Sequence, residues 1–343
     1  VATLDAFNLV LAEPVLAPMN VPPEDNSAMD GYAVRCADTA KPGATLKIAQ
    51  RIAAGEAGLP LLAGTAARIF TGAPVPPGAD AVVMQELCSA SAETVTIQHN
   101  PKAGENIRAT GEDILQGSCL IAAGTRLTAA HLGLAASVGI ATLPVLRKPR
   151  IAVFSTGNEL KMPGEPLACG QIYNSNRFFL LAMLRQLACE VTDLGVVCDD
   201  LAATEQALKD AADDHDLILT CGGVSVGEED HVKRAVHSQG RLDLWSIAIK
   251  PGKPLAFGAI RRRNGSEAYF VGLPGNPVSA YITLLTIVRP FIHQLSGVKA
   301  LPLTALAMRA DFDWVKPDKR REFLRVQRNS QGGLSLYPHQ GSG

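Results

Sequence analysis

The sequence lacks an excess of charge of either sign: over 343 residues the formal net charge is −1. Proteins whose main business is nucleic acid show a clear basic excess, so that class is excluded, although a few local cations can still hold an anionic small molecule. Long hydrophobic runs are lacking too. None approaches the roughly 20 apolar residues needed to cross a bilayer, and no charged start leads into an apolar signal core, so no membrane partner is expected. Cysteines are few and unpaired in pattern. Cys36, Cys88, Cys119, Cys169, Cys189, Cys198 and Cys221 are scattered, odd in number and without a Cys-x-x-Cys pair. That spacing suits neither a zinc site nor a disulfide framework. A reducing compartment, the cytoplasm, is the expectation.

What is present is ordinary globular material, 47% hydrophobic and 19% charged, with length for two or three domains. The chain begins at Val1 and stops after Gly343, and both ends are expected to be trimmed relative to the natural protein. Residues 1–40 carry a proline-rich entry from Val15 to Pro23. From about 41 to 118, glycine and proline recur between short apolar runs such as Ala81 to Met84, the pattern of a small, turn-rich β domain. Thr128 is placed to cap a helix running to about Val138.

After Lys148-Pro149 the pattern changes. Strands are predicted at 151–154, 191–197, 216–220 and 243–249, and a hairpin around Asn264-Gly265 joins 253–259 to 268–272. Helices are predicted at 176–188, 201–212, 231–238 and 278–295. Such alternation means a parallel sheet with crossover helices, with ligands bound beyond the strand C-termini. Residues from about 300 onward read as the start of another β domain, cut short. The fold class is therefore α/β plus β.

The loop Gly222-Gly223-Val224-Ser225-Val226-Gly227 follows a predicted strand and precedes a helix. Its glycines let successive N–H groups converge on an anion, and the helix adds its positive end. A purely structural turn is the bland alternative, and no Gly-Lys-Ser/Thr follows, so it is not a Walker loop. Glu228, Glu229 and Asp230 come next. Carboxylates beside a phosphate repel it unless a cation such as Mg²⁺ lies between, whereas the helix dipole alone also favours acids there. Asp199, Asp200 and Glu159 fall at the ends of neighbouring strands and are expected to face the same crevice. Lys250-Pro251-Gly252-Lys253-Pro254 suggests a second anion site, two lysines held together by a stiff turn, with a solvated basic turn as the alternative. Leu273 to Ser279 ends a strand and starts a helix behind Pro277, and its amides and Ser279 hydroxyl suit an oxyanion. Arg261-Arg262-Arg263 is read as a solvated hairpin turn, Lys316 to Arg325 as a basic run able to meet phosphate, and Cys221 as buried.

Asn26-Ser27-Ala28-Met29-Asp30-Gly31-Tyr32-Ala33-Val34-Arg35 resembles the N-terminal signature of the molybdopterin molybdenumtransferases, the family that includes the gephyrin E domain. Thr71 to Pro76, Gly111 to Ile114, Phe154 to Leu160, the Gly222–Gly227 loop, Lys250 to Pro254 and Leu273 to Ser279 fit the family in order and span nearly the whole chain. The resemblance implies a homodimer with a split N-terminal region (1–40 and 119–148), an inserted β domain (41–118), a molybdopterin-binding α/β domain (149–297) and a C-terminal β domain (300–343), shorter here than in the family. It implies a reaction of adenylylated molybdopterin with molybdate that yields molybdenum cofactor and AMP with Mg²⁺ or a similar ion. A pterin-adenylylating enzyme and molybdoenzyme or chaperone acceptors are the implied partners. Glu159, Asp199, Asp200 and Asp230 match positions associated with metal, adenylate and pterin. Asp30, Thr71 and Asp113 match positions contributed across the dimer. Gly222, Gly223, Ser225, Gly227, Pro274 and Pro277 match the pterin-adenylate cradle, and Lys250, Lys253, Ser279, Arg320 and Ser342 the molybdate site. Asn158 stands where many relatives carry Asp and is left out of the metal set.

Two other functions compete. The adenylyltransferase that activates the pterin would share the α/β domain but lack the Asp30 signature and the 41–118 region, both present here. A receptor-anchoring scaffold could lose its acids, yet Glu159 and Asp230 remain.

Overall fold

The computed structural model describes residues 1–224, 231–299 and 305–341. They fall into two compact units. The first comprises Val1–Asp5, Glu13–Ala123 and Thr128–Leu143, the second Ala6–Ala12, Gly124–Leu127 and Pro144–Gly343.

In the first unit six strands form one sheet: β1 (Gly31–Val34), β2 (Ala44–Ile52), β3 (Thr65–Ile69), β4 (Ala81–Met84), β5 (Cys88–Ala90) and β6 (Thr94–Ile97), in the order β4-β1-β3-β2-β6-β5. Only β2 and β3 run parallel; the other neighbours are antiparallel. This is the turn-rich β structure that the glycine and proline spacing predicts. Its two faces bury separate apolar sets, Val34, Leu46, Val83 and Ile97 on one and Ile52, Ile69 and Val82 on the other. Helix α1 (Ala129–Ser137) begins after Thr128, whose backbone N–H donates to His131 Nδ1.

The second unit is built on β7 (Arg150–Thr156), β8 (Glu190–Val197), β9 (Leu217–Cys221), β10 (Gly240–Ser246), β11 (Pro254–Arg261) and β12 (Glu267–Leu273), ordered β8-β7-β9-β12-β11-β10. Strands β8, β7, β9 and β12 are parallel, as the strand–helix alternation predicts. At the other edge β11 and β12 form the antiparallel hairpin predicted around Asn264-Gly265, and β10 joins β11 antiparallel as well. The physical reason is connection length. A parallel return needs a crossover of a dozen or more residues, and the turn from β11 to β12 occupies only 262–266.

Strand β9 is buried at all five positions, the mark of a central strand covered on both faces. On one face Ile151, Val153 and Leu219 pack against α2 (Ser175–Gln186) and the helical stretch Pro277–Leu295. On the other, Ala152, Phe154 and Ile218 pack against α3 (Leu201–Asp214) and α4 (His231–Gln239). From α2, Leu180, Leu181 and Leu184 are buried in the first of these cores, with Phe179, Met183 and the C-cap residue Leu187 packed against it. Pro277–Leu295 is long and apolar enough to cross a membrane by length and composition, but Ala280, Leu284, Val288 and Ile292 form a row of fully buried residues in the core.

Arg262 is not the solvated turn residue expected. Its Nε donates to Ala212 O and its Nη2 to His215 O, each at 2.7 Å, satisfying carbonyls that α3 leaves open at its C-terminus. Arg261 Nη2 donates similarly to Ser238 O near the end of α4, at 3.3 Å.

Candidate functional site

The C-terminal ends of β7, β9 and β12 open onto a crevice of about 430 Å³. Each wall follows from a local sequence feature. After β9, Gly222 and Gly223 adopt φ of +94° and +66°, which favour glycine. A Cβ on Gly222 would stand 2.6 Å from Thr156 O, so the turn packs against the end of β7 as only a glycine allows. After β12, Pro274, Gly275 and Asn276 lead into the helix that Pro277 begins at its first position.

After β7, Gly157 makes room for an acid. A Cβ there would lie 2.6 Å from Glu159 Oε2. Glu159 and Asp199 both line the crevice, and Asp199 Oδ1 accepts from Thr156 Oγ1 at 3.1 Å. The structure therefore brings together two of the predicted acids. Asp200 stands elsewhere: its side chain caps α3, with Oδ1 accepting from Ala203 N–H at 2.8 Å. Ser225, Gly227, Asp230 and Ser342 lie outside the described residues. Among the described residues, no three His, Cys, Asp or Glu side chains are grouped to hold a metal. Two carboxylates on one wall do match the habit of Mg²⁺, which takes one or two carboxylates and completes its shell with water and phosphate oxygens.

Two residues escaped the sequence reading. Asn174 and Asn176, at the start of α2, are buried and line the crevice. Asn176 Nδ2 donates to Gly275 O at 2.6 Å and to Cys221 Sγ at 3.0 Å. Its Oδ1, and Asn174 Nδ2, have no partner among the described residues. A buried amide atom without a partner is costly, and a heterocycle with N–H and C=O edges would relieve that cost. The signal in the sequence is the pair of asparagines in Asn174-Ser175-Asn176, where the predicted 176–188 helix begins. Cys221 is buried as expected, and burial pushes its thiol up to about 11, which rules out a thiolate nucleophile near neutrality.

A second cavity, of about 380 Å³, lies around the Lys250–Pro254 turn. Lys250, Lys253, Ser279 and Arg320 all line it, so four of the five predicted oxyanion residues share one cavity. Ser279 and Pro254 line both cavities, which makes them neighbours with a common wall. Of the two lysines, Lys250 carries carboxylate partners. Ile249–Lys250 pairs in parallel with Arg321–Glu322, and Lys250 Nζ lies 2.9 Å from Glu322 Oε1 and 3.6 Å from Asp318 Oδ2. The Glu322 hydrogen bond holds the Lys250 ammonium above its ordinary pKa.

Asp30, Thr71 and Asp113 belong to the first unit. Thr71 donates from both its backbone N–H and its Oγ1 to Asp30 Oδ1, each at 2.8 Å, and the backbone bond above all keeps the carboxyl below its usual range. Asp113 is paired with Arg108 at 2.6 Å.

A parallel α/β sheet with a glycine turn and two acids at its strand ends, next to a cavity lined by Lys250, Lys253 and Arg320, has the architecture in which doubly wound enzymes bind ligands beyond the strand C-termini. Residues 1–139 match the MoeA N-terminal region (domain I and II), and residues 152–294 a probable molybdopterin binding domain. The molybdopterin molybdenumtransferase of Haemophilus influenzae is 45% identical over 300 residues, covering 86% of this chain and 72% of its own. Molybdopterin molybdenumtransferase 2 of Mycobacterium tuberculosis is 39% identical over 346 residues, covering 96% and 83%. A solved molybdopterin biosynthesis MoeA protein from Pyrococcus horikoshii superposes with a TM-score of 0.84 at 26% identity, over 100% of this chain and 85% of its own. The chain belongs to the molybdopterin molybdenumtransferase family and is an enzyme, a transferase.

Proposed function

We propose that the chain inserts molybdate into adenylylated molybdopterin and releases AMP with the help of Mg²⁺ or a similar ion. The observation that carries this reading is the shared wall: Ser279 and Pro254 border both the acid-lined crevice and the lysine cavity. A pterin phosphate in the first can thus lie next to an oxyanion in the second. Gly222 and Gly223 suit the phosphate, and the open amide atoms of Asn174 and Asn176 suit the pterin edge. Lys250, Lys253, Arg320 and the Ser279 hydroxyl supply charge and donors for a tetrahedral dianion. Glu159 and Asp199, joined by Asp230 on the family resemblance, would hold the divalent ion, which would offset negative charge developing on the phosphate.

The same proposal includes a cytoplasmic homodimer with the four-part division 1–40 with 119–148, 41–118, 149–297 and 300–343. In it Asp30, Thr71 and Asp113 of each protomer serve the other protomer's crevice. It also includes an adenylylating enzyme as donor of the pterin, and molybdoenzymes or their chaperones as acceptors. The test is incubation of the purified chain with adenylylated molybdopterin, molybdate and Mg²⁺, with AMP and cofactor both quantified. AMP release that requires both molybdate and the divalent ion supports the reading. No release under any combination contradicts it.

A further inference from the structure

The lysine cavity carries its own counter-charges. Two of its three cations are already paired, both with carboxylates of the segment 318–322. Arg320 holds Asp318 with two bonds, Nε to Oδ1 at 2.9 Å and Nη2 to Oδ2 at 2.8 Å. Lys250 holds Glu322 at 2.9 Å, with Asp318 at 3.6 Å. Lys253 has no ion pair among the described residues. These acids are fixed in place rather than incidental. The Glu322 side chain is 10% exposed, and its Oε2 accepts from both Trp314 Nε1 and Asp318 N–H at 2.8 Å. Parallel pairing of Arg321–Glu322 with Ile249–Lys250 sets Glu322 opposite Lys250.

Resting on the reading of this cavity as the oxyanion site, the geometry points to Glu322 and Asp318 as built-in counter-anions that keep binding of the incoming dianion weak. Three unopposed cations would hold a dianion tightly, whereas a substrate must leave these cations to reach the pterin sulfurs. Two fixed carboxylates lower the cavity's net charge and compete for the same N–H donors. The Lys250 ammonium has three donors, so one can stay on Glu322 while the others serve the oxyanion. Glu322 is thus a positioning and affinity-setting residue, not a catalytic one.

The test is direct binding of molybdate to the full chain, measured by calorimetry for the unaltered protein, Glu322→Gln, Asp318→Asn and Lys253→Ala, with thermal unfolding checked for each. Glutamine keeps an oxygen for the Trp314 and Asp318 donors while losing the charge. Removing one charge several ångströms from a dianion near the surface corresponds to about tenfold in affinity. Glu322→Gln and Asp318→Asn are therefore each expected to bind molybdate about tenfold more tightly. Perrhenate, a tetrahedral monoanion, is expected to gain less, because the interaction scales with ligand charge. Should one variant fail to fold, the other decides the question. Unchanged or weaker binding in the folded variants, with Lys253→Ala still weakening it, overturns the counter-anion role alone. Absence of molybdate binding in the unaltered chain overturns the reading of the cavity, and this role with it.

Discussion

Lys250 and Glu322 are register partners in a two-residue parallel pairing, and their side chains meet at 2.9 Å. The lysine that the sequence offers to an oxyanion is thus held by a carboxylate from a distant part of the chain. Thermal stability should report this pair through its pH dependence. The folded pKa of Lys250 is raised, so its contribution is complete below the ordinary lysine value and fades only as pH rises through the raised one. Glu322 is lowered, chiefly by the Asp318 N–H bond, so its contribution is present above the ordinary carboxylate value and fades as pH falls through the lowered one. The Tm difference between the unaltered protein and Lys250→Met is expected to stay constant from about pH 6 to 9 and to shrink below about pH 4. A difference that changes steadily across neutral pH would contradict the pairing.

Asp199 and Asp200 adjoin in sequence, yet Asp199 lines the crevice and Asp200 caps α3. Asp199→Asn and Glu159→Gln are expected to lower AMP release by about a hundredfold or more, the scale of losing a group that stabilises transition-state charge, with little change in Tm. Asp200→Ala should instead cost about 1 kcal/mol of stability, as loss of a helix cap does, and leave AMP release close to that of the unaltered protein. Urea unfolding and the AMP assay on the three variants separate the two roles. Equal loss of activity in Asp200→Ala would place its carboxylate in the crevice.

Gly157→Ala tests how Glu159 is positioned. The added Cβ would come within 2.6 Å of the Glu159 carboxylate, the far end of a flexible side chain. The φ of Gly157 is +146°, which also favours glycine, so both activity and stability should fall. Gly222→Ala sets its Cβ 2.6 Å from the Thr156 carbonyl of the backbone with φ at +94°, so its stability cost, about 1–3 kcal/mol, should exceed that of Gly157→Ala. Unchanged AMP release in Gly157→Ala would show that Glu159 does not depend on the room Gly157 leaves.

Asn176→Ala removes the amide that bonds Gly275 O and Cys221 Sγ. About 1–3 kcal/mol of stability should be lost, since buried groups are left unpaired. The KM for adenylylated molybdopterin is expected to rise while the half-saturating molybdate concentration stays the same. A shift in the molybdate dependence instead would move Asn176 to the wrong substrate.

What the sequence made legible was local. Apolar runs such as Ile151 to Phe154, spaced by helical stretches, marked the parallel strands. Glycines after a strand marked the turn at Gly222, and Lys250 to Pro254 marked the second cavity. What stayed hidden depended on partners far along the chain. Arg262 looks solvated until the end of α3 arrives beneath it, and Lys250 looks unpaired until Glu322 docks beside it. Asp200 reads as a ligand, and its side chain caps α3, because only three residues separate the end of β8 at Val197 from the first helical residue, Leu201. Asn174 and Asn176 read as helix starters, and only their buried, open amide atoms point to a ligand.

In the proposed reaction a pterin phosphate and an oxyanion meet across the wall formed by Ser279 and Pro254. The most direct measurement is AMP release from adenylylated molybdopterin as molybdate is varied, in the unaltered protein and in Lys253→Ala. AMP release is expected to saturate with molybdate, with half-saturation moved about tenfold higher in the variant, the scale of losing a charge-assisted hydrogen bond. AMP release independent of molybdate, or a half-saturation that Lys253→Ala leaves unmoved, would contradict it.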